Sequence, residues 1–143
     1  RDAEAARTRP PRGRKMNYCL DSWAVIALIE NEEPVATIVE RLLEHRPYIS
    51  TVNATEVFYV TNRRSGIDAA NEVMTILRAK TRIVPVDLNI ATSAGLIKSN
   101  HKMSLGDCFC VATALQYSAT ILTGDPEILD VKGKWKVRDL RQK

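Results

Sequence analysis

The sequence lacks long apolar runs. No stretch of about 18 or more consecutive apolar residues is present, so no membrane-spanning helix is predicted. The first residues are basic, but no apolar segment follows them, so no secretory signal peptide is expected. We therefore expect a cytoplasmic protein without a membrane association.

Cysteine and histidine are also scarce. The three cysteines, Cys19, Cys108 and Cys110, form an odd set without the spacing of a zinc site or of a disulfide framework. We predict that they are small buried hydrophobic side chains. The two histidines, His45 and His101, lie far apart, and neither has a partner at metal-ligand spacing. Surface positions are expected for both.

The net positive charge of the chain comes from its first 15 residues. The formal net charge is +4, and residues 1–15 alone hold six basic and two acidic residues. Residues 16–143 hold equal numbers of the two, and with 45% hydrophobic residues the chain suits one domain. We interpret 1–15 as a disordered extension, derived from cloning or from an upstream reading frame, and 16–143 as the domain.

Basic residues also crowd the C-terminal end of the domain. This group can attract a polyanion, or it can be a solvated end that aids solubility. Its members are Lys132, Lys134, Lys136, Arg138, Arg141 and Lys143.

Short apolar runs alternate with longer helical periods along the domain. Strands are predicted at 17–21, 48–50, 82–86, 120–123 and 136–138. Helices are predicted at 22–30, 35–44, 53–64, 68–80, 88–99 and 105–117. Strands separated by helices favour parallel pairing through right-handed crossovers. The pattern predicts an α/β fold, a parallel-stranded sheet flanked by helices on both faces.

Four acidic residues lie beside predicted helix starts. Asp21 and Asp125 follow strand runs, so they project from the carboxyl ends of strands, where open parallel sheets bind ligands. Glu56 and Asp107 lie in the first turns of predicted helices that begin at the same edge. All four can therefore converge on one cleft.

A ring of carboxylates suits hard cations such as Mg²⁺, which prefer oxygen ligands. Four acids can hold one or two such ions, which activate water for attack at phosphorus and stabilise the leaving oxygen. The sequence therefore points to metal-dependent phosphate chemistry. The number of ions stays open.

Each acid also fits a helix cap. Asn53 with Glu56, and Ser104 with Asp107, have the spacing of a capping box. Asp125 precedes Pro126, and Asp21 can cap a helix starting at Ser22. We favour the joint site because all four acids have one sheet edge on which to meet.

These motifs together resemble the PIN-domain family, in particular the VapC-like toxins of toxin–antitoxin pairs. The resemblance spans roughly residues 17–140. It rests on Leu-Asp-Ser at 20–22, Glu56, Leu-Gly-Asp-Cys-Phe-Cys-Val-Ala-Thr-Ala at 105–114 and Thr-Gly-Asp at 123–125.

The resemblance implies an endoribonuclease that depends on Mg²⁺ or Mn²⁺ and cuts RNA by water attack, leaving 5′-phosphate and 3′-hydroxyl ends. It implies that Ser22 and Thr123 support the metal site through their hydroxyl groups. A homodimer and an antitoxin that blocks the cleft are also implied. The implied catalytic and metal-binding set is Asp21, Glu56, Asp107 and Asp125.

Two rival functions were weighed. A haloacid-dehalogenase-type phosphatase needs a second aspartate two positions after the first, and Trp23 stands there, which excludes it. The other rival is a catalytically idle PIN-like module that binds RNA or protein, with the acids as structural caps. The presence of all four acids argues against it.

Two roles near the cleft stay open. Trp23 can stack on a base, or it can belong to the core, as aromatics that open an apolar helix commonly do. Antitoxins of the PIN-domain family place an arginine near the acidic cleft, and the arginines of the extension can do the same. Those are Arg7, Arg9, Arg12 and Arg14.

Overall fold

The computed structural model describes residues 16–141, which form a five-stranded, all-parallel sheet. The predicted extension, and with it the arginines of residues 1–15, lies outside the described residues. The strand order is β3-β2-β1-β4-β5, so the first strand lies in the middle of the sheet. The strands are β1 (Tyr18–Leu20), β2 (Tyr48–Ser50), β3 (Arg82–Val84), β4 (Thr120–Thr123) and β5 (Lys136–Asp139).

Seven α-helices flank the sheet within residues 16–141, which confirms the predicted α/β fold. They are α1 (Ser22–Ile29), α2 (Val35–Leu42), α3 (Thr51–Ser65), α4 (Ile67–Lys80), α5 (Leu88–Asn100), α6 (Leu105–Gln116) and α7 (Pro126–Leu129). Among these residues no helix combines the length and the apolar character needed to cross a membrane.

The start of α3 differs from the prediction. The helix begins at Thr51 because the Ser50 hydroxyl, at the end of β2, accepts a hydrogen bond from the Asn53 backbone N–H at 3.1 Å. Asn53 is therefore the third residue of the helix rather than its cap. Glu56 consequently lies in the second turn and not in the first turn as predicted, and the alternative of an Asn53–Glu56 capping box is wrong.

Several other predicted ends differ by one or two residues, and two further differences change the elements themselves. The helix predicted at 35–44 ends at Leu42 and continues as a 3₁₀ turn at Leu43–His45, which Arg46 terminates with a left-handed φ of 47°. The short helix α7 follows β4 directly. Only its cap, Asp125 before Pro126, was predicted, and the Asp125 side chain does accept a hydrogen bond from Glu127 N–H.

The core forms two layers, one on each face of the sheet. Leu20 and Leu122 face the first core cluster, which is built with the helices α1 to α4. Cys19 and Ile121 face the second core cluster, which is built with α5 and α6. Neighbouring residues of a strand point to opposite faces, so burial on both sides explains these uninterrupted apolar runs. All three cysteines are buried and free, as predicted.

Candidate metal centre

Asp21, Asp107 and Asp125 meet at the carboxyl edge of the sheet. Asp21 directly follows β1, and its backbone N–H donates to the Leu122 carbonyl at 3.2 Å, which continues the pairing of β1 with β4. Asp125 lies just beyond the end of β4, and Asp107 is the third residue of α6. One carboxylate oxygen from each lies within 4.8 Å of the others.

The cluster contains two carboxylate oxygens without hydrogen-bond partners. Asp21 is 0% exposed and Asp107 is 5% exposed. Asp21 Oδ1 and Asp107 Oδ2 are buried, and neither accepts a hydrogen bond. Burying a charge without a partner is costly, and an all-oxygen set is what a hard divalent cation binds. The residues present therefore fit a metal ion.

Burial also shifts the acidity of this pair. It raises the pKa of Asp21 to about 7, an effect that the nearby Asp125 and Glu56 charges increase and the Thr123 hydrogen bond opposes. Burial, together with the charges of Asp21 and Asp125, raises the pKa of Asp107 to about 8. Without a compensating cation, Asp21 and Asp107 therefore resist full ionisation at neutral pH.

Glu56 lies beside this cluster without being one of its three members. Its Oε1 accepts hydrogen bonds from the Ser22 hydroxyl at 3.1 Å and from the Asn53 side-chain amide at 3.0 Å. The Glu56 carboxylate packs against Gly106, where a Cβ atom would collide with it. The structure therefore brings three of the four predicted acids together and holds the fourth against the start of α6.

The two predicted hydroxyl groups contact different acids. The Thr123 hydroxyl donates to Asp21 Oδ2 at 2.8 Å and accepts from the Asp125 backbone N–H at 2.9 Å. Thr123 thereby ties together two members of the cluster. Ser22 instead contacts Glu56.

Neither Asp21 nor Asp107 acts as the helix cap that the sequence offered as an alternative. The Asp21 side chain makes no capping hydrogen bond, although it occupies the N-cap position of α1. Ser104 caps α6 by accepting from Asp107 N–H at 3.2 Å, but the Ser104 N–H donates to Glu127 Oε1 at 2.9 Å. Glu127 thus completes the capping arrangement in place of Asp107, whose carboxylate is left to face the cluster.

The family of the chain follows from its sequence. The PIN domain model matches residues 18–134. The chain belongs to the PIN domain family. The predicted resemblance is thereby confirmed, and membership supports a nuclease in general.

Solved structures resemble this PIN domain closely in fold. DNA-bound VapBC from Salmonella typhimurium has a TM-score of 0.74 at 15% identity, covering 87% of this chain and 98% of that one. VapBC2 from Rickettsia felis, bound to a promoter fragment, has a TM-score of 0.71 at 14% identity, covering 87% and 98%. The Mycobacterium tuberculosis toxin VapC20, which cleaves the sarcin-ricin loop, scores 0.67 at 18% identity, covering 80% and 93%.

At these identities the likeness to solved structures shows the fold alone. No curated protein matches this chain in sequence. The chemistry of this member therefore depends on its own residues.

Two residues of this PIN domain were missed by sequence reasoning. Asn53 is fully buried, and its side-chain amide donates to both Glu56 and the Gly106 carbonyl, the latter at 3.1 Å. Gly106 leaves room for the Glu56 carboxylate. The available signals were an asparagine one helical turn before Glu56 and a glycine directly before Asp107.

Trp23 packs at the boundary between the core and the metal centre. It is partly buried against the first core cluster, and its ring lies against Gly124, where a Cβ atom would collide with it. This packing agrees with the interpretation of Trp23 as a core residue. Base stacking by its ring stays a prediction.

Proposed function

We propose that this PIN domain is a divalent-metal-dependent endoribonuclease and the toxin of a toxin–antitoxin pair that acts in the cytoplasm. One observation carries the proposal: three aspartates converge within 4.8 Å, and two of their buried oxygens have no hydrogen-bond partner. A cluster serving only as helix caps would use those oxygens on backbone N–H groups.

Asp21, Asp107 and Asp125 are the residues that would hold the ion. Mg²⁺ or Mn²⁺, when bound, supplies activation of water and stabilisation of charge at the phosphate. Thr123 keeps Asp21 and Asp125 in place through the hydrogen bonds at 2.8 and 2.9 Å. These contacts fix the cluster before any ion or substrate arrives.

Glu56 is proposed to act beside the three aspartates, either as a further ligand or as the acceptor of a proton from the attacking water. Ser22 and Asn53 occupy its Oε1, which leaves Oε2 available for that role. Water attacks phosphorus and loses a proton to Glu56 or to solvent, while the bond between phosphorus and the 3′ oxygen breaks. The 3′ oxygen takes up a proton from solvent, so the products carry 5′-phosphate and 3′-hydroxyl ends. The catalytic set proposed is thus Asp21, Glu56, Asp107 and Asp125.

RNA as substrate and an antitoxin as partner are supported by the structural relatives. A similar solved structure from Klebsiella pneumoniae is a toxin–antitoxin complex, and VapC20 is a toxin that cleaves the sarcin-ricin loop. We extend an antitoxin partner and an RNA substrate to this chain on that support. A homodimer is proposed from the PIN-domain resemblance.

The test is RNA cleavage by the purified protein with Mg²⁺ or Mn²⁺ and with EDTA. We compare the parent, Asp21→Asn, and the control Asp130→Asn, which removes the same charge from an exposed position. The parent and the control should cleave only with metal, and Asp21→Asn should lose at least about a hundredfold in rate. The products should carry 5′-phosphates.

Cleavage that persists in EDTA, or that Asp21→Asn leaves unchanged, would overturn the catalytic assignment. An absence of cleavage, with binding of RNA or a protein retained, would identify the idle PIN-like module instead.

A further inference from the structure

A row of basic side chains runs along the edge strand β5. Lys134, Lys136 and Arg138 are exposed, whereas the alternating Trp135 and Val137 are partly buried against the second core cluster. Side chains of a strand alternate between its faces, so residues two apart share one face at a spacing of about 6.6 Å. Lys136 and Arg138 therefore share one face of β5, and Lys134 lies two residues before the strand, in the bend that leads into it. We call these three cations the β5 row.

The β5 row ends beside the metal centre. Among residues 16–141, β5 pairs only with β4, and the register places Arg138 opposite Leu122 and Asp139 opposite Thr123. The Leu140 backbone N–H then donates to the Thr123 carbonyl at 2.9 Å. Because Thr123 contacts Asp21, the carboxyl end of the row adjoins the aspartate cluster.

No member of the row has a carboxylate partner within residues 16–141. The ion pairs found there join Arg64 to Glu30 and Arg141 to Asp139. Arg141 contacts both Asp139 oxygens at 3.1 Å, so the acid of the strand itself is already compensated. The row therefore presents uncompensated positive charge on a domain with no net charge overall.

We propose that the β5 row binds the phosphate backbone of an extended, single-stranded RNA segment and guides it toward the aspartate cluster. This rests on the proposed nuclease function. A file of cations complements a file of phosphates, and its direction leads to the residues proposed to act on phosphorus. A substrate approaching three carboxylates needs such compensation, because the cluster itself repels a polyanion.

The test removes the row and compares it with an equal loss of charge elsewhere. The row variant is Lys134→Gln/Lys136→Gln/Arg138→Gln. The control variant is Arg41→Gln/Arg63→Gln/Arg78→Gln, three exposed residues of the helices α2, α3 and α4. Each set is made in the parent for kinetics and in Asp21→Asn for binding, where cleavage is suppressed.

Binding of a labelled oligouridine RNA is measured in EDTA over a range of salt concentrations. The row variant should bind at least about tenfold more weakly, and its salt dependence should fall by about 2 in logarithmic slope, as three lost phosphate contacts predict. The control should keep the parent affinity and slope within about twofold. In the cleaving background, the row variant should raise KM and leave kcat unchanged.

Three results would overturn the proposal. One is an equal affinity of the row and control variants. Another is equally tight binding of duplex and single-stranded RNA by the parent. The third is self-association of the row variant at unchanged RNA affinity, which would show that the lysines only protect an exposed strand edge.

The binding arm does not depend on catalysis. If the parent cleaves RNA but the row is idle, the proposed function stands and this inference fails. If the row binds RNA but no cleavage occurs, this inference stands and the proposed function fails.

Discussion

The amino ends and the carboxyl ends of the strands, here called the amino edge and the carboxyl edge of the sheet, differ in whether their polar groups have partners. At the amino edge, Tyr48 stacks on Tyr117 with ring centroids 4.3 Å apart, and the Arg82 guanidinium lies 3.8 Å from the Tyr48 ring centroid. Arg82 also donates to the Tyr48 hydroxyl at 2.9 Å and to the Arg46 carbonyl at 2.7 Å. At the carboxyl edge, Asp21 and Asp107 each keep a buried oxygen without a partner.

This difference separates stability from function within one fold. The amino edge buries aromatic surface and gives Arg82 hydrogen-bond partners, which is how a structural surface is stabilised. The carboxyl edge gathers like charges in a desolvated place and raises the pKa values of Asp21 and Asp107. A folded chain retains such an arrangement where a ligand compensates for it, so the contrast supports the carboxyl edge as the place of the proposed function.

The strongest test of the contrast is Asp107→Asn. Cleavage should fall at least about a hundredfold, while the metal-free protein should unfold at a higher temperature because one repelling carboxyl group is gone. Thermal unfolding in EDTA and cleavage with Mg²⁺ measure the two effects. The matched change Asp87→Asn, at the N-cap of α5, should alter neither, since asparagine also caps helices. A lower metal-free stability of Asp107→Asn would contradict the contrast.

A smaller loss of activity is expected for Asn53→Ala. Removing the side-chain amide releases Glu56 from the start of α6, so kcat should fall about 10–100-fold with little change in KM. The effect should disappear in a Glu56→Gln background, as a double-mutant cycle would show. Asn62→Ala, an exposed position of the same helix, is the control. Additive losses would show that Asn53 acts on the fold rather than through Glu56.

The stability of the metal-free protein should fall as pH rises. In the folded protein the pKa values of Asp21 and Asp107 are about 7 and about 8, above the usual value of 3.8. Between pH 3.8 and these raised values, the native state therefore binds more protons than the unfolded chain. Stability should therefore be greatest below about pH 4 for this contribution. It should decrease toward pH 8 by up to about 1.4 kcal/mol per pH unit for each proton released.

Urea unfolding in EDTA between pH 4 and pH 8 measures this dependence, and Asp21→Asn should flatten it. Added Mg²⁺ or Mn²⁺ should restore stability at the upper end of the range, where the carboxylates are ionised and can bind it. A metal-free stability that increases across this window would contradict the assignment of raised pKa values to the cluster.

The smallest effect is expected at the opposite edge. Arg82→Gln removes the cation over Tyr48 and should lower the free energy of unfolding by about 1 kcal/mol. Cleavage should be unchanged, because the amino edge lies at the other end of the strands from the aspartates. Chemical unfolding and the cleavage assay together check this expectation. A loss of cleavage without a loss of stability would break the division between the two edges.

Much of the fold and part of the site follow from local sequence. The strand β4, for example, is a short apolar run between a turn and Thr-Gly-Asp, and its position and end were predicted correctly. Parallel pairing then requires Asp21 and Asp125 to project from the same sheet edge, whatever the details of packing. The structure brings these two acids together for that reason, and Asp107 joins them from the first turn of α6.

The remaining details depend on tertiary partners. Ser50 moves the start of α3 because it caps from the end of β2, and this shift turns Asn53 inward toward Glu56 and Gly106. Glu127 replaces Asp107 in the capping arrangement at Ser104 from a different helix. Neither of these hydrogen-bond partners can be recognised from the spacing of residues along the chain. Likewise, the lysines near the C-terminal end are plain in the sequence, but their alignment along an edge strand requires the burial of the residues between them.

The hydrogen bond between Thr123 and Asp21 joins residues 102 positions apart. During synthesis, β1 emerges early, but β4 cannot pair with it until most of the domain has left the ribosome. The aspartate cluster therefore cannot assemble on a partly made chain. The RNA cleavage proposed for this cluster is therefore available only after β4 has paired with β1.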